Sequence, residues 1–288
     1  MKTNFFIVGL AIASMLLVTS CSKSDDGDGD GDITVTTSPL AKIGIVSPVK
    51  TIESGSDEGK YDVMNFVYNN NFLESVSGCT YRFNEPDDDI SLKVGYNPLK
   101  FNLISDESEF IFSDIKTNDA GSVTQFTAKS TDGEAVLKYQ FEYDNENQLT
   151  RCKLSFHFTC TYFTTDDTTV ADYTWKNGDI VSATEVYTTI QDGKKGSRNY
   201  SSTLSYDSQE LNSGLYMVES LDCEDYEFSM LLYTGLFGRP TKHVPNKEIF
   251  TDYDGSVTVY NYVYTKNSNG QITKVGIDNE SGYLIFGY

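Results

Sequence analysis

The chain has 288 residues, and 39% of them are hydrophobic, which is enough to bury the core of one sizeable domain. It carries 42 acidic and 22 basic side chains, for a net charge of −20. Because such a charge repels polyanions, we expect neither nucleic acid nor anionic lipid headgroups among its partners.

The N-terminal segment has the pattern of a bacterial lipoprotein signal. Lys2 precedes an apolar run of 14 residues from Phe5 to Val18, which suits a signal peptide and is shorter than the about 20 residues of a membrane span. Small residues at positions 19 and 20 lead to Cys21. We predict that residues 1–20 are a cleaved signal peptide and that Cys21 is lipidated by acyl chains such as palmitate, which anchor the protein in the membrane. The alternative is an ordinary secretory leader that ends in cysteine.

An acidic Asp/Gly tract follows Cys21. Asp26, Asp28 and Asp30 match the spacing of a calcium loop, but Thr37 stands where such a loop needs glutamate. We therefore predict a flexible, self-repelling tether over residues 21–40 and no metal site. The Cys-Ser-Lys-Ser start followed by aspartates resembles the surface-export signal of Bacteroidota lipoproteins, which implies display on the outer leaflet of the outer membrane.

Period-two alternation dominates the rest of the chain and indicates half-buried antiparallel strands. A unit recurs in which an aromatic residue precedes an Asn/Asp/Gly turn and a short aliphatic restart. Its pre-turn aromatics are Tyr143, Trp175, Tyr206 and Tyr264, so the first intervals give about 30 residues per hairpin. We predict a single all-β domain over residues 41–288, folded as a long-stranded up-and-down meander that is strongly twisted or partly closed into a barrel.

One segment between Asp222 and Pro245 departs from this rhythm. Four of its residues follow helical spacing: Tyr226, Met230, Tyr233 and Phe237. Because Gly238 and Pro240 supply stop signals beyond them, we predict a helix over residues 224–236 that covers the mouth or concave face of the sheet. The alternative is another strand, since apolar residues also alternate there.

The segment from Gly235 to Pro245 reads GLFGRPTKHVP, and a strand ending in Tyr264 and an Asn269-Gly270 turn follow it. Together with the hairpin repeats, it resembles an uncharacterised outer-membrane or surface lipoprotein family of gut Bacteroidota over residues 55–288. That family carries a domain of unknown function with Tyr-Asp-type β-hairpin repeats. The resemblance implies an outer-membrane β protein and offers no catalytic residues to carry over.

Motifs for catalysis or cofactor binding are absent from the sequence. There is no GxSxG elbow, no phosphate-binding glycine loop and no CxxC pair. The two histidines, His157 and His243, are interpreted as surface residues on a strand and in a proline-bounded loop. A glycan hydrolase would need two facing carboxylates, which spacing cannot select among 42 acidic residues. We predict no catalytic residue, no metal and no cofactor.

Trp175, the only tryptophan, is the candidate for ligand stacking. It stands before an Asn177-Gly178 turn, where it would either stack on a sugar face or pack against its own sheet. Cys152 and Cys160 share one face of a strand-like run and are too far apart to bridge, so we interpret them as buried thiols. A bridge from either to Cys79 or Cys223 stays open.

These features favour a lipoprotein that is anchored at the cell surface of the outer membrane and contacts the membrane through its lipid anchor. We expect a non-enzymatic binding module for a ligand that is apolar, a glycan or a protein. The alternatives are a structural or adhesive envelope component and a glycan hydrolase. An apolar-ligand carrier requires a sheet interior that its own side chains do not fill.

Overall fold

A computed structural model describes the protein over the following ranges: 9–12, 50–56, 59–69, 72–82, 85–96, 98–104, 109–210, 215–218, 235–239, 241–278 and 283–288. Strands and the turns between them make up all of these ranges. Within them, no helix has the length and apolar character needed to span a membrane.

The strands follow one another along the chain as β1 Gly9–Ile12, β2 Thr51–Ser56, β3 Gly59–Asn69, β4 Phe72–Arg82, β5 Glu85–Tyr96, β6 Leu99–Ile104, β7 Glu109–Thr117, β8 Val123–Ser130, β9 Ala135–Tyr143, β10 Leu149–Thr159, β11 Thr164–Lys176, β12 Asp179–Gln191, β13 Lys194–Glu210, β14 Leu215–Val218, β15 His243–Thr251, β16 Val257–Lys266, β17 Ile272–Ile277 and β18 Tyr283–Gly287. Many exceed the usual five or six residues, as the hairpin spacing predicts. The all-β meander with long antiparallel strands is confirmed.

The main sheet closes on itself. From β2 to β13 each strand pairs antiparallel with the next, β13 then pairs with β15, and the meander continues to β18. The last strand pairs antiparallel with the first, with Phe286 opposite Ile52, and this pairing completes a barrel of 16 strands. The barrel is therefore closed, and each of its strands is paired on both sides.

Type I′ turns hold the longest hairpins in register. The connections Asn177-Gly178 and Asp192-Gly193 each place two successive residues at positive φ, between 50° and 89°. This is the two-residue turn that matches the right-handed twist of the strands it joins. It sets the pairing of β11, β12 and β13, which carry the residues of the site described below.

A second, two-stranded sheet pairs β1 with β14, and Gly9 lies opposite Val218. Strand β1 lies inside the segment predicted to be the signal peptide. Cleavage before Cys21 would therefore remove this pairing and leave the barrel strands intact.

Side chains of the barrel wall alternate between a buried inner face and an exposed outer face. In β9 the buried side chains Leu137, Tyr139 and Phe141 alternate with the exposed Lys138, Gln140 and Glu142. Since successive side chains of a strand point to opposite faces, this alternation assigns the buried set to the barrel interior.

Aromatic rings form much of the core. The ring of Phe126 is stacked on that of Tyr139 at 4.7 Å, tilted against Phe112 at 5.5 Å and edge-on to Phe101 at 6.2 Å. Leu73, Leu92, Leu103 and Leu137 are completely buried around them. Each such side chain contributes about 1.5–3 kcal/mol through burial, so the packed interior is the main source of stability.

Most of the predicted helix over residues 224–236 lies outside the described residues. Its last two positions are described, and they are not helical: Gly235 is in a turn with φ of +71°, and Leu236 belongs to no helix or strand. The apolar spacing that suggested a helix there is explained for Leu236 and Phe237 by burial against the barrel, because both are almost completely buried.

Candidate functional site

Six aromatic residues fasten one end of the barrel in the same way. Each lies at or near the end of a strand and donates a hydrogen bond from its hydroxyl or indole N–H to a backbone carbonyl near the start of the preceding strand. The pairs are Tyr96 to Leu73, Tyr143 to Val123, Trp175 to Leu149, Tyr206 to Ile180, Tyr264 to Pro245 and Tyr288 to Ile272, over 2.5–2.9 Å. We call these residues the latch aromatics.

The latch aromatics explain the recurring sequence unit. The aliphatic restart residues Leu73, Leu149 and Ile180 are at most 1% exposed, and their carbonyls accept the latch hydrogen bonds. Burial raises the pKa of the Tyr96 and Tyr264 hydroxyls well above the usual tyrosine value, so both keep the proton that they donate. The repeat therefore encodes a side-chain latch as well as a turn.

A segment of residues 235–239 and 241–242, which we call the cap segment, crosses this end. The Val123 N–H donates to Leu236 O over 2.7 Å, and the ring of Phe237 lies 4.9 Å from Phe141. The Arg239 N–H donates to Asn147 O over 2.8 Å, and the Lys242 N–H donates to Gly178 O over 2.8 Å. The cap segment thus joins the ends of three neighbouring hairpins, β7–β8, β9–β10 and β11–β12.

The cap segment ends in a buried acid–histidine pair. Asp179 accepts one hydrogen bond from the backbone N–H of His243 and one from its ring Nδ1, both over 2.7 Å. The side chains are 8% and 16% exposed, so the interpretation of His243 as a surface histidine is wrong. The pair fixes the start of β15 to the start of β12, and this places it in the scaffold of the barrel.

The opposite end, which we call the rim, exposes polar and aromatic side chains on the inner face of the wall. Arg198 has the same strand parity as the buried Ser202, and it faces Tyr187 across the β12–β13 pairing. Its guanidinium carbon lies 5.0 Å from the ring centroid of Tyr253. Tyr200 completes the group, which we call the rim cluster: Tyr187, Arg198, Tyr200 and Tyr253.

The rim cluster holds a fixed positive charge among three tyrosines. A hydrogen bond with Tyr200 is the main cause that raises the pKa of Arg198, with further contributions from the Tyr253 and Tyr187 hydroxyls. The rings of Tyr200 and Tyr253 meet edge to face at 6.0 Å, and Tyr253 is 56% exposed. Exposed ring faces, hydroxyls and a guanidinium are groups that bind polar ligands with apolar faces.

Deeper in the barrel, other side chains donate hydrogen bonds to both oxygens of a buried carboxylate. Glu248 is 4% exposed, and its two oxygens accept hydrogen bonds from Ser202 Oγ, over 2.8 Å, and from Tyr262 Oη. A buried carboxyl group with both oxygens hydrogen-bonded stabilises the packing around it. Glu248 is therefore closed to a dissolved substrate.

The structure separates the residues that the sequence singled out. Trp175 is a half-buried latch aromatic whose indole N–H donates to Leu149 O over 2.7 Å, which is the sheet-packing alternative. His157 is on the exposed outer face, as interpreted, and its Nδ1 pairs with Asp166 over 2.7 Å. Cys21, the predicted lipidation site, lies outside the described residues. No group of histidine, cysteine and acidic residues that could hold a metal occurs in the described part of the chain.

Cys152 and Cys160 are both free thiols, so neither forms the bridge to Cys79 or Cys223 that was left open. Cys152 is a buried thiol as predicted, and burial raises its pKa far above the usual cysteine value. Cys160 is only half-buried and lies one residue beyond the end of β10. The buried interpretation of Cys160 is therefore wrong.

Solved structures from two Bacteroides species share this fold. One is described as a porin-like protein from Bacteroides vulgatus; it is 11% identical, with a TM-score of 0.50, and the match covers 84% of this chain and 99% of that one. The other, a porin-like protein from Bacteroides uniformis, is 17% identical, with a TM-score of 0.52 and coverage of 83% and 97%. No family model and no curated protein matches the chain. At these identities the likeness establishes the fold alone.

Proposed function

We propose that this protein is a non-enzymatic glycan-binding module of the bacterial envelope, held on the outer face of the outer membrane by a lipid on Cys21. The barrel stands in water above the membrane, and the acidic segment 21–40 is its tether. The rim cluster is the ligand site.

The polarity of the wall carries this proposal. The outer faces of β9 and β10 expose Lys138, Arg151 and Lys153, and each such cation would cost about 2–4 kcal/mol at the midplane of a bilayer. These outer cations and the apolar interior favour a barrel in water, although valine and isoleucine side chains are exposed on the outer face of other strands. Membrane attachment then needs a separate device, and the lipoprotein signal supplies it.

The packed interior favours a glycan over an apolar ligand. Inner residues such as Leu92, Leu103 and Leu137 are completely buried by neighbouring side chains, so they line no space that a ligand could enter. The rim cluster instead exposes tyrosine rings and hydroxyls, which suit sugar rings because each sugar has apolar faces and polar edges.

Lipid labelling of whole cells tests the anchor. Cells that express the full chain are fed a clickable palmitate analogue and are then treated with protease while intact. We expect wild type and the control Cys160→Ser to incorporate the label and to be cleaved from outside, whereas Cys21→Ser loses the label. A labelled protein that stays protected until the cells are broken would contradict surface display.

A thermal-shift panel of saccharides tests the binding function. A glycan present at 100 times its Kd raises the free energy of unfolding by about 2.7 kcal/mol, which is easily resolved. Self-association without any saccharide shift would favour the structural or adhesive alternative. Release of reducing ends from a bound glycan would favour the hydrolase alternative.

A further inference from the structure

We propose that the rim cluster is an anion-binding site for the carboxylate of an acidic saccharide, such as a uronate, and that Arg198 binds this carboxylate. This inference rests on the proposed glycan-binding function and names the class of glycan.

Arg198 has no acidic partner among the described residues. By contrast, Arg151, His157 and His243 in that part of the chain each have an acidic partner. The charge of Arg151 is compensated by an acidic partner, because its guanidinium binds Asp172 through two nitrogens, over 2.7 and 3.1 Å. The charge of Arg198 is left without such compensation.

The nearby aspartates are engaged elsewhere. Tyr253 lies between Asp252 and Asp254 in the β15–β16 turn. Asp252 accepts a hydrogen bond from the Tyr253 N–H over 2.6 Å, and Asp254 accepts one from the Ser256 N–H over 2.8 Å. Both carboxylates therefore cap their own turn, and the guanidinium keeps donors that an external carboxylate could accept from.

The tyrosines hold the guanidinium in place before a ligand arrives. Tyr253 lies against the guanidinium at 5.0 Å, and Tyr200 is hydrogen-bonded to it, so both contacts favour one orientation of the side chain and reduce the entropy lost on binding. A planar guanidinium matches a planar carboxylate with two parallel hydrogen bonds. Lys194 and Lys195, in the same hairpin, add positive charge at the end of β13 that is nearest the rim.

The tyrosine rings beside Arg198 favour a ligand that has an apolar face as well as a negative charge. The exposed ring of Tyr253 and the half-buried ring of Tyr187 can contact the C–H face of a sugar, while their hydroxyls reach its hydroxyl groups. A carboxylate attached to a sugar ring satisfies both parts of the cluster. At physiological salt the screening length is about 8 Å, so acidic side chains far from the rim weigh little against a direct contact between Arg198 and a bound carboxylate.

The test uses the full chain in micelles of a polyoxyethylene detergent, which contains no sugar. Calorimetric titration with oligogalacturonate, dextran and dextran sulfate measures the Kd of each. We expect oligogalacturonate to bind the wild-type protein and Arg198→Gln to lower this affinity by more than about tenfold. Arg198→Lys should also lower the affinity, because an ammonium cannot make the two parallel hydrogen bonds of a guanidinium. The matched control Arg151→Gln should bind as wild type, and thermal melting should show that all variants are folded.

Several results would overturn the inference and leave the proposed glycan binding intact. These are equal binding of neutral dextran, binding of dextran sulfate in preference to the uronate, and undiminished uronate binding by folded Arg198→Gln. If none of these glycans or the wider saccharide panel binds the wild-type protein, the proposed function itself is wrong.

Discussion

Asp179 holds His243 by two hydrogen bonds of 2.7 Å, one from the backbone N–H and one from ring Nδ1, across a separation of 64 residues. The same chemistry occurs at the surface, where His157 Nδ1 and Asp166 are also 2.7 Å apart. The two pairs differ in side-chain exposure. His243 and Asp179 are 16% and 8% exposed, whereas His157 and Asp166 are 48% and 61% exposed. They form a natural comparison of one interaction in two environments.

Asp179→Ala should destabilise the barrel by about 2–4 kcal/mol, because it leaves two N–H donors of His243 without their acceptor in a mostly buried site. Asp166→Ala should cost no more than about 1 kcal/mol, since its partner is solvated. Urea unfolding of both variants measures the difference. Equal losses would show that the Asp179 pair does not fasten the cap segment.

Gly238→Ala should be more harmful than Gly255→Ala. Both glycines have positive φ, +93° and +83°, and so share a backbone penalty of about 1–2 kcal/mol. Only at Gly238 would an added Cβ meet other atoms, Asn147 O at 2.7 Å and Tyr143 Cε1 at 2.9 Å. We expect an additional loss of about 1–3 kcal/mol in chemical denaturation. Equal denaturation midpoints for the two variants would contradict close packing of the cap segment against Asn147 and Tyr143.

Tyr206→Phe should lower stability by about 0.5–1.5 kcal/mol, because the Ile180 carbonyl loses its 2.7 Å latch hydrogen bond while the ring remains in place. Tyr162, which is 91% exposed, provides the control, and its substitution by Phe should change stability by less than about 0.5 kcal/mol. The denaturation midpoints of the two variants measure this difference in stability. No loss at Tyr206 would mean that the latch aromatics act through ring packing alone.

The repeat was predictable from sequence and the role of its aromatics was not. Alternation and turn residues are local signals, and they identified Tyr143, Trp175, Tyr206 and Tyr264 as pre-turn residues. Their hydrogen bonds reach back by 19 to 26 residues, which depends on strand register. Register is a property of the assembled barrel and leaves no short-range pattern.

The rim cluster was missed for the same reason. Arg198 and Tyr253 meet only because β13 pairs with β15, whose following turn carries the tyrosine. The available signal was weak: an arginine within a basic, glycine-containing hairpin of an acidic chain. Likewise, His243 looked exposed because its partner Asp179 lies in a distant hairpin. Closure of the barrel also required a pairing between its first and last strands, which no local pattern encodes.

Thiol reactivity should separate the two described cysteines. Cys152 is 1% exposed and burial raises its pKa, so the thiolate that reacts with iodoacetamide is scarce and inaccessible. Cys160 is half-buried at the end of β10 and should be alkylated first. Peptide mass spectrometry after graded exposure of the native protein gives the order. Labelling of Cys152 at the rate of Cys160 would show that the barrel core opens readily.

The most direct test of a barrel that stands in water is its behaviour without lipid or detergent. A chain that lacks its first 21 residues, and with them the lipid anchor, is refolded in detergent-free buffer and examined by light scattering, circular dichroism and urea unfolding. We predict a dispersed, β-rich protein with a cooperative transition, because the outer wall exposes charged side chains and the interior is packed. Aggregation that only detergent micelles relieve would contradict this account and would place the outer wall in the membrane.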